Sequence, residues 1–310
     1  MKQYLLIDIG GTFIKYSLAD EQARKISGGK VPTPLTNMDD LLAAIEGFAA
    51  PLQGQFVGCA ISMPGRIDTR NGIAHTGGML SAFMWEQPFA AQVEARLGVP
   101  VTIANDGKCA AAAEGWTGAL AGVENGLVLV LGTGIGGGII LNGKMFNGGM
   151  NHGVELGHAY LVDGGEPCTC GNHGCMEAYC AASALARDGQ RAMKKHPESL
   201  IAARAGGSPE NVDAKLVIDC AKEGDETAKA VFDQYIDSLS SACASIYNLL
   251  DPEVIAIGGG VCGAGEFLFA PLREKTTGKC FYKTHGKLVP AELGNDAGMI
   301  GAAMLHKDAQ

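Results

Sequence analysis

The chain has 310 residues, of which 47% are hydrophobic and 18% charged, and a formal net charge of -9. That composition supplies one large core or two domains of ordinary size and excludes a disordered or fibrous chain. Scattered Lys and Arg leave no basic face for a nucleic-acid backbone, and no apolar run reaches the about 18 residues of a membrane span, so a cytoplasmic protein is expected.

Tyr4 to Ile9 is an apolar run that breaks at Gly10-Gly11-Thr12 and returns as Phe13 to Leu18, alternating at period two. The pattern predicts a hairpin, which places the glycines in a strand-to-strand turn. A helix over 38–52, a strand over 56–62, a helix over 88–97 and a strand over 101–104 complete an α/β first half, and an alanine-rich helix runs from Asn105 to Trp116. Gly126 to Leu131 then restarts the opening pattern, ending in Gly132-Thr133-Gly134 with Gly136 to Leu141 leading out as a second strand. This repetition points to an internal duplication. A loop-rich stretch over 144–174 precedes helices over 177–195 and 215–250, a buried strand over 254–257 and a closing helix over 297–306. The expected division is an N-terminal α/β domain over 1–115, to which the closing segment 297–310 returns, and a C-terminal α/β domain over 116–296.

Asp8 ends the first strand beside the amides and hydroxyl of Gly10, Gly11 and Thr12, a setting that suits a phosphate oxygen and, through Asp8, a hydrated Mg2+ ion. A plain hairpin turn explains this segment equally well on its own. The second copy is different, because Gly132 to Gly138 strips nearly every side chain from one loop, as close approach of a phosphate would require. Neither turn is a Walker loop or a dinucleotide fingerprint, since no Gly-Lys-Ser/Thr ending is present and both turns lead into strands. The strand from Val101 ends in Asn105 and Asp106, just before a helix. Either residue serves as a cap, and Asp106 also has the position of a base that accepts the proton of an attacking hydroxyl.

Seven of the ten cysteines stand singly and read as reduced thiols. Cys168, Cys170 and Cys175 crowd into one short loop, and with His158 they make a complete tetrahedral shell for structural Zn2+ over the loop 158–175. A disulfide between two of them is the alternative. Glu155 and Glu177 bracket the loop, and a metal staple would draw the two carboxylates together as acceptors for vicinal hydroxyls. The glycine turns lie elsewhere in the sequence, so they are expected not to depend on the metal.

These motifs resemble the ROK family of sugar kinases and repressors, part of the actin-like ATPase superfamily. The resemblance rests on Asp8 to Thr12, Met63-Pro64-Gly65, Asn105-Asp106, Gly132-Thr133-Gly134, Glu155 to His158, the run Cys168 to Glu177, and Ile257 to Val261, and so spans nearly the whole chain. It implies a two-domain actin-like (ribonuclease H-like) fold and ATP-dependent phosphorylation of a hexose in a cleft between domains, with Asp106 as base. It further implies that Gly65, Asn105, Asp106, Glu155, His158 and Glu177 contact the sugar, His158 through the ring nitrogen not committed to zinc. Asp8, Gly10, Gly11, Thr12, Gly132, Thr133 and Gly134 would surround the phosphates and magnesium, while Gly259 and Gly260 approach the nucleoside. Such kinases are commonly homodimers. Two departures stand out: Phe13 replaces a Lys that many relatives carry, and the loop His75 to Trp85 lacks the Asn and Gly-Trp of many glucokinases. Glucose is the first expectation, with a β-glucoside, fructose or N-acetylmannosamine as alternatives. A family repressor would need a helix-turn-helix segment ahead of the strand that begins at Tyr4, and a silent sugar-sensing module would not need Asp106 together with both glycine loops.

Overall fold

The computed structural model describes residues 2–76, 78–149 and 154–308. In chain order, β1 (Gln3–Ile9), β2 (Phe13–Asp20) and β3 (Lys25–Pro32) are followed by α1 (Met38–Ala49), β4 (Cys59–Met63), the ribbon β5 (Ile67–Asp68) and β6 (Ile73–Ala74), α2 (Phe89–Leu97), β7 (Val101–Asn105) and α3 (Asp106–Thr117). Then come β8 (Gly126–Leu131), β9 (Ile135–Leu141), β10 (Lys144–Met145), α4 (Glu177–Cys180), α5 (Ala182–Lys195), α6 (Leu200–Arg204), α7 (Ala214–Lys222) and α8 (Glu226–Leu250). β11 (Val254–Gly258), α9 (Glu266–Lys279), β12 (Lys287–Pro290) and α10 (Ala297–Asp308) complete the chain. Two compact units result, one of residues 1–122, 138–154 and 293–310, the other of residues 123–137 and 155–292.

Both main sheets follow one plan. The first has the order β3-β2-β1-β4-β7, with β1 antiparallel to β2 and parallel to β4. The second has the order β10-β9-β8-β11-β12, with β8 and β12 both parallel to β11. The matched plan agrees with the repetition in the sequence and is a mixed α/β fold of the actin-like type.

Period-two alternation sorts β1 between two cores. Leu5, Ile7 and Ile9 point into a cluster with Ile61, Met63, Leu41 and Phe89, on the side of α1 and α2. Tyr4 and Leu6 point the other way, against Ala60, Ala104, Cys109, Ala302 and Ala303, on the side of α3 and α10. A strand apolar on both faces is what a sheet covered by helices on both sides requires. Each such Leu or Ile contributes about 2 kcal/mol by burial.

Several elements differ from the sequence reading. The strand expected from Phe56 begins at Cys59, and the loop-rich stretch after 144 contains the short β10 and a 3-10 turn over Leu156–His158. The helix expected over 177–195 breaks at Ala181, which is extended at φ -71° and ψ 158°. The reason is tertiary: the Ala182 N–H donates to the Gly132 carbonyl at 2.9 Å, and the Cys180 carbonyl accepts from the buried Tyr235 hydroxyl at 2.8 Å. The helix expected over 215–250 is likewise two helices, because Asp225 stops to cap α8 at the Ala228 N–H (2.7 Å) and also accepts from the Leu200 N–H (2.9 Å). β3, α6, α9 and β12 were not anticipated. Among the described residues no helix is long and apolar enough to cross a membrane.

Candidate functional site

The first glycine turn lies in the first unit, closing the β1–β2 hairpin through the Gly10 N–H and the Phe13 carbonyl at 3.1 Å. Thr33, just past β3, ties the back of the turn. Its hydroxyl donates to the Gly10 carbonyl at 2.7 Å and its N–H to the Thr12 carbonyl at 3.0 Å. Every peptide in the described chain is trans, so a carbonyl pulled to one side turns the next residue's N–H to the other. The amides of Gly11 and Phe13 therefore point away from Thr33. Asp8, at the end of β1, accepts from the Ser62 hydroxyl at 2.9 Å and has the Lys15 ammonium 3.7 Å from its other oxygen. Lys15 lies opposite Asp8 in the hairpin register, while Phe13 carries the Lys30 ammonium 4.6 Å above its ring.

The second turn, in the second unit, repeats this arrangement with different anchors. The Gly132 carbonyl accepts from the Ala182 N–H, and the Thr133 carbonyl accepts from the Ser183 hydroxyl at 2.6 Å. By the same geometry the Thr133 and Gly134 amides face away from α5. The Ile135 N–H points back and donates to Glu177 Oε2 at 3.0 Å. A Cβ at position 134 would meet that same carboxylate oxygen, so a side chain there would have to displace the Glu177 carboxylate. Gly259, at the end of β11, has φ 102° and lies so close to the Leu131 carbonyl that no side chain fits. Gly258 and Gly259 are thereby packed against the strand that leads into the turn.

Asn105 and Asp106 occupy the junction of β7 and α3. Asn105 is the cap: its side-chain oxygen accepts from the Lys108 N–H at 3.2 Å, and its amide nitrogen donates to the Gly65 carbonyl at 2.9 Å. Asp106 is thus released from capping and stands exposed at the first position of the helix, with one oxygen on the Gly107 N–H at 2.8 Å. The loop that follows Gly65 is tied to the same region by the Arg66 N–H, which donates to the Thr76 hydroxyl at 3.0 Å. Gly77 of that loop, and Gly153 ahead of Glu155, lie outside the described residues.

In the second unit, His158, Cys168, Cys170 and Cys175 bring their ligand atoms within 4.8 Å of one another. The Cys170 and Cys175 sulfurs are 3.7 Å apart, and Cys168 Sγ lies 3.6 Å from His158 Nδ1. A tetrahedral zinc with Zn–S of about 2.3 Å and Zn–N of about 2.0 Å sets those separations at about 3.8 and 3.5 Å, so the donor set fits. All four carry chemistry suited to that ion, and every cysteine of the chain is free. Burial, and then the neighbouring Cys170 and Cys168, push the Cys175 thiol up to about 12, while the Asn172 N–H aimed at its sulfur draws the Cys170 thiol below its ordinary range. Thiolates this crowded need a cation among them. With Nδ1 facing the sulfurs, Nε2 is the ring nitrogen left to His158.

Glu155 is exposed at the start of the 3-10 turn, where its carbonyl accepts from the His158 N–H at 3.0 Å. Glu177 is engaged by the protein at both oxygens, Oε2 by the Ile135 N–H and Oε1 by the Thr169 hydroxyl at 2.7 Å. The metal loop and the second glycine turn, expected to be independent, are therefore in direct contact. The first unit holds Asp8, Gly10, Gly11, Thr12, Gly65, Asn105 and Asp106. The second holds Gly132 to Gly134, Glu155, Glu177, Gly259, Gly260 and the metal cluster. Sequence reasoning missed Thr33, Ser62, Thr169 and Ser183; Ser183 was hidden inside a helix assumed to be continuous.

The model described as "ROK family" matches residues 4–309. A glucokinase of Thermotoga maritima is 35% identical over 315 residues, covering 97% of this chain and 96% of its own. An N-acetyl-D-glucosamine kinase of Photobacterium profundum is 31% identical over 98% of this chain and 99% of its own. The crystal structure of a ROK family glucokinase from Streptomyces griseus in complex with glucose and AMPPNP superposes with a TM-score of 0.83 at 30% identity, covering 98% of both chains. Since the family match and both sequence relatives take in nearly the full length, this chain belongs to the ROK family.

Proposed function

We propose that the protein is an ATP-dependent glucokinase, the finer reading within a sugar phosphotransferase. The observation that carries the kinase reading is the pair of glycine turns whose carbonyls are tied back by Thr33 and by Ala182 with Ser183, which leaves adjacent amides turned to the opposite side. Amides presented in this way suit phosphate oxygens, and a sugar sensor without transfer chemistry would have no use for two such turns. Glucose is favoured as acceptor because the Thermotoga maritima and Streptomyces griseus proteins bear the glucokinase name, with N-acetylglucosamine second on the Photobacterium profundum relative.

In this reading the sugar hydroxyl gives its proton to Asp106 as its oxygen bonds to the γ-phosphorus, and the bond from that phosphorus to the β–γ bridging oxygen breaks to release ADP. Asn105 fixes Gly65 and the start of α3, and so sets the place of Asp106. Glu155, Glu177 and His158 Nε2 supply contacts for the sugar hydroxyls, and Gly65 offers its backbone. Gly10 to Thr12 and Gly132 to Gly134 serve the phosphates, Gly259 and Gly260 the nucleoside. Asp8 would hold hydrated magnesium, whose charge neutralises the phosphates. His158, Cys168, Cys170 and Cys175 would hold one structural zinc. We further propose a homodimer in the cytoplasm, as is common among such kinases.

The test is coupled-assay ATP turnover of purified protein with glucose, N-acetylglucosamine, N-acetylmannosamine, fructose and a β-glucoside. Glucose is expected to give the highest kcat/KM. Sugar binding without turnover of any of the five would overturn the kinase reading in favour of a sensor.

A further inference from the structure

The segment that leaves the metal loop is also the segment that shapes the second glycine turn. Cys175 ends the ligand set, and within the next eight residues Glu177 takes the Ile135 N–H, Ala182 gives its N–H to the Gly132 carbonyl, and Ser183 gives its hydroxyl to the Thr133 carbonyl. Thr169, inside the loop between two ligands, holds the free end of the Glu177 carboxylate at 2.7 Å. Three successive peptide planes of the turn are therefore oriented from one short stretch of chain, whose far end is fixed by Cys168, Cys170 and Cys175. A hairpin alone does not dictate this. The first turn obtains the equivalent ties from Thr33, which belongs to no metal loop.

We propose that Ser183 and Glu177 are positioning residues through which the metal loop sets the direction of the Thr133 and Gly134 amides, so that loss of the loop's order weakens nucleotide binding. This rests on the reading of the turn as a phosphate site. Trans-peptide geometry makes the effect directional: when the Thr133 carbonyl loses its donor, the Thr133–Gly134 plane is free to rotate and the Gly134 N–H no longer keeps one bearing. Ser183 is exposed, so its replacement removes a tie without opening a cavity. It does not touch the reacting groups in this account. Its effect is on the amides alone.

The experiment is calorimetric titration of the full chain with a non-hydrolysable ATP analogue and, separately, with glucose, for wild type, Ser183→Ala, Ser183→Thr and Thr169→Val. Losing one tie is expected to weaken analogue binding about five- to tenfold in Ser183→Ala and in Thr169→Val. Ser183→Thr keeps a hydroxyl and should restore it. Glucose affinity in Ser183→Ala should stay within about twofold, and its melting temperature should match wild type, which a merely structural role would not predict. Removing bound zinc with a chelator should weaken analogue binding of the wild type in the same direction. The proposal is overturned if Ser183→Ala binds the analogue as wild type does, if Ser183→Ala weakens analogue and glucose binding equally, or if Ser183→Thr fails to restore binding. Wild-type protein that binds no nucleotide at all would instead overturn the kinase reading, and the proposal with it.

Discussion

The Asn105 side-chain amide donates to the Gly65 carbonyl at 2.9 Å, joining the residue before Asp106 to a loop 40 positions earlier in the chain. The same side chain caps α3 with its oxygen. The two functions separate by substitution. Asn105→Asp retains the capping oxygen and should keep the melting temperature of the wild type, yet it cannot donate to Gly65 and should raise the sugar KM at least about fivefold. Asn105→Ala loses both and should also lose about 1 kcal/mol of stability. Thermal melts and sugar KM values on the two variants check this; equal melting temperatures would remove the capping role.

Asp106→Asn is expected to lower kcat by at least about 100-fold, the scale of losing a general base, while sugar affinity changes little. Both species present an oxygen to the Gly107 N–H, so the fold should be retained. Turnover near the wild-type value would leave Asp106 with no catalytic part.

The spacing of the four ligand atoms predicts one zinc per chain. Metal analysis of purified protein should find a near-equimolar amount, and Cys170→Ser, at the most exposed of the three thiols, should lower it sharply. A chain that carries no metal and is fully active would contradict the assignment.

His306 on α10 is buried, with the Thr102 hydroxyl 2.8 Å from Nδ1 and the Tyr4 ring edge-on at 5.6 Å. Burial holds its imidazole below the ordinary 6.5. A proton then binds more readily to the unfolded chain than to the folded one, so stability is intact above 6.5 and declines as pH falls from there through the lower folded value. Melting curves should show His306→Gln losing less stability than wild type between about pH 7.5 and 5.5. An equal or greater loss would assign the pH dependence to other groups.

The chemistry of this protein is more legible in the sequence than its scaffolding is. Glycine runs, a strand-end Asn-Asp pair and a Cys-His cluster announce themselves by residue type, and the four ligands do converge. β1 was readable because both of its faces are apolar. β3 was not, since Lys25–Pro32 is a largely exposed edge strand with two glycines and a terminal proline, held by backbone pairing with β2 and by Val31 against the core. The interruption at Ala181 left no local mark either. Alanine is a good helix former, and what stops the helix is the Gly132 carbonyl, 50 residues before its partner Ala182, beside the Thr133 carbonyl that takes the Ser183 hydroxyl. Glu177 illustrates the same limit: its type and place in the motif are visible, but its grip on Ile135 is a product of folding.

The packing of α10 has a bearing on how the protein is made. Tyr4, Leu6, Ala60 and Ala104 emerge early from the ribosome, whereas Ala302 and Ala303, which cover that side of the first sheet, follow only after some 200 to 300 further residues. At roughly 5 to 20 residues per second, this apolar face waits on the order of ten seconds to a minute for its lid. During that interval α3, through Cys109, covers only part of this side, so a chain that stops before α10 leaves the remainder of the apolar face exposed to chaperones or to aggregation.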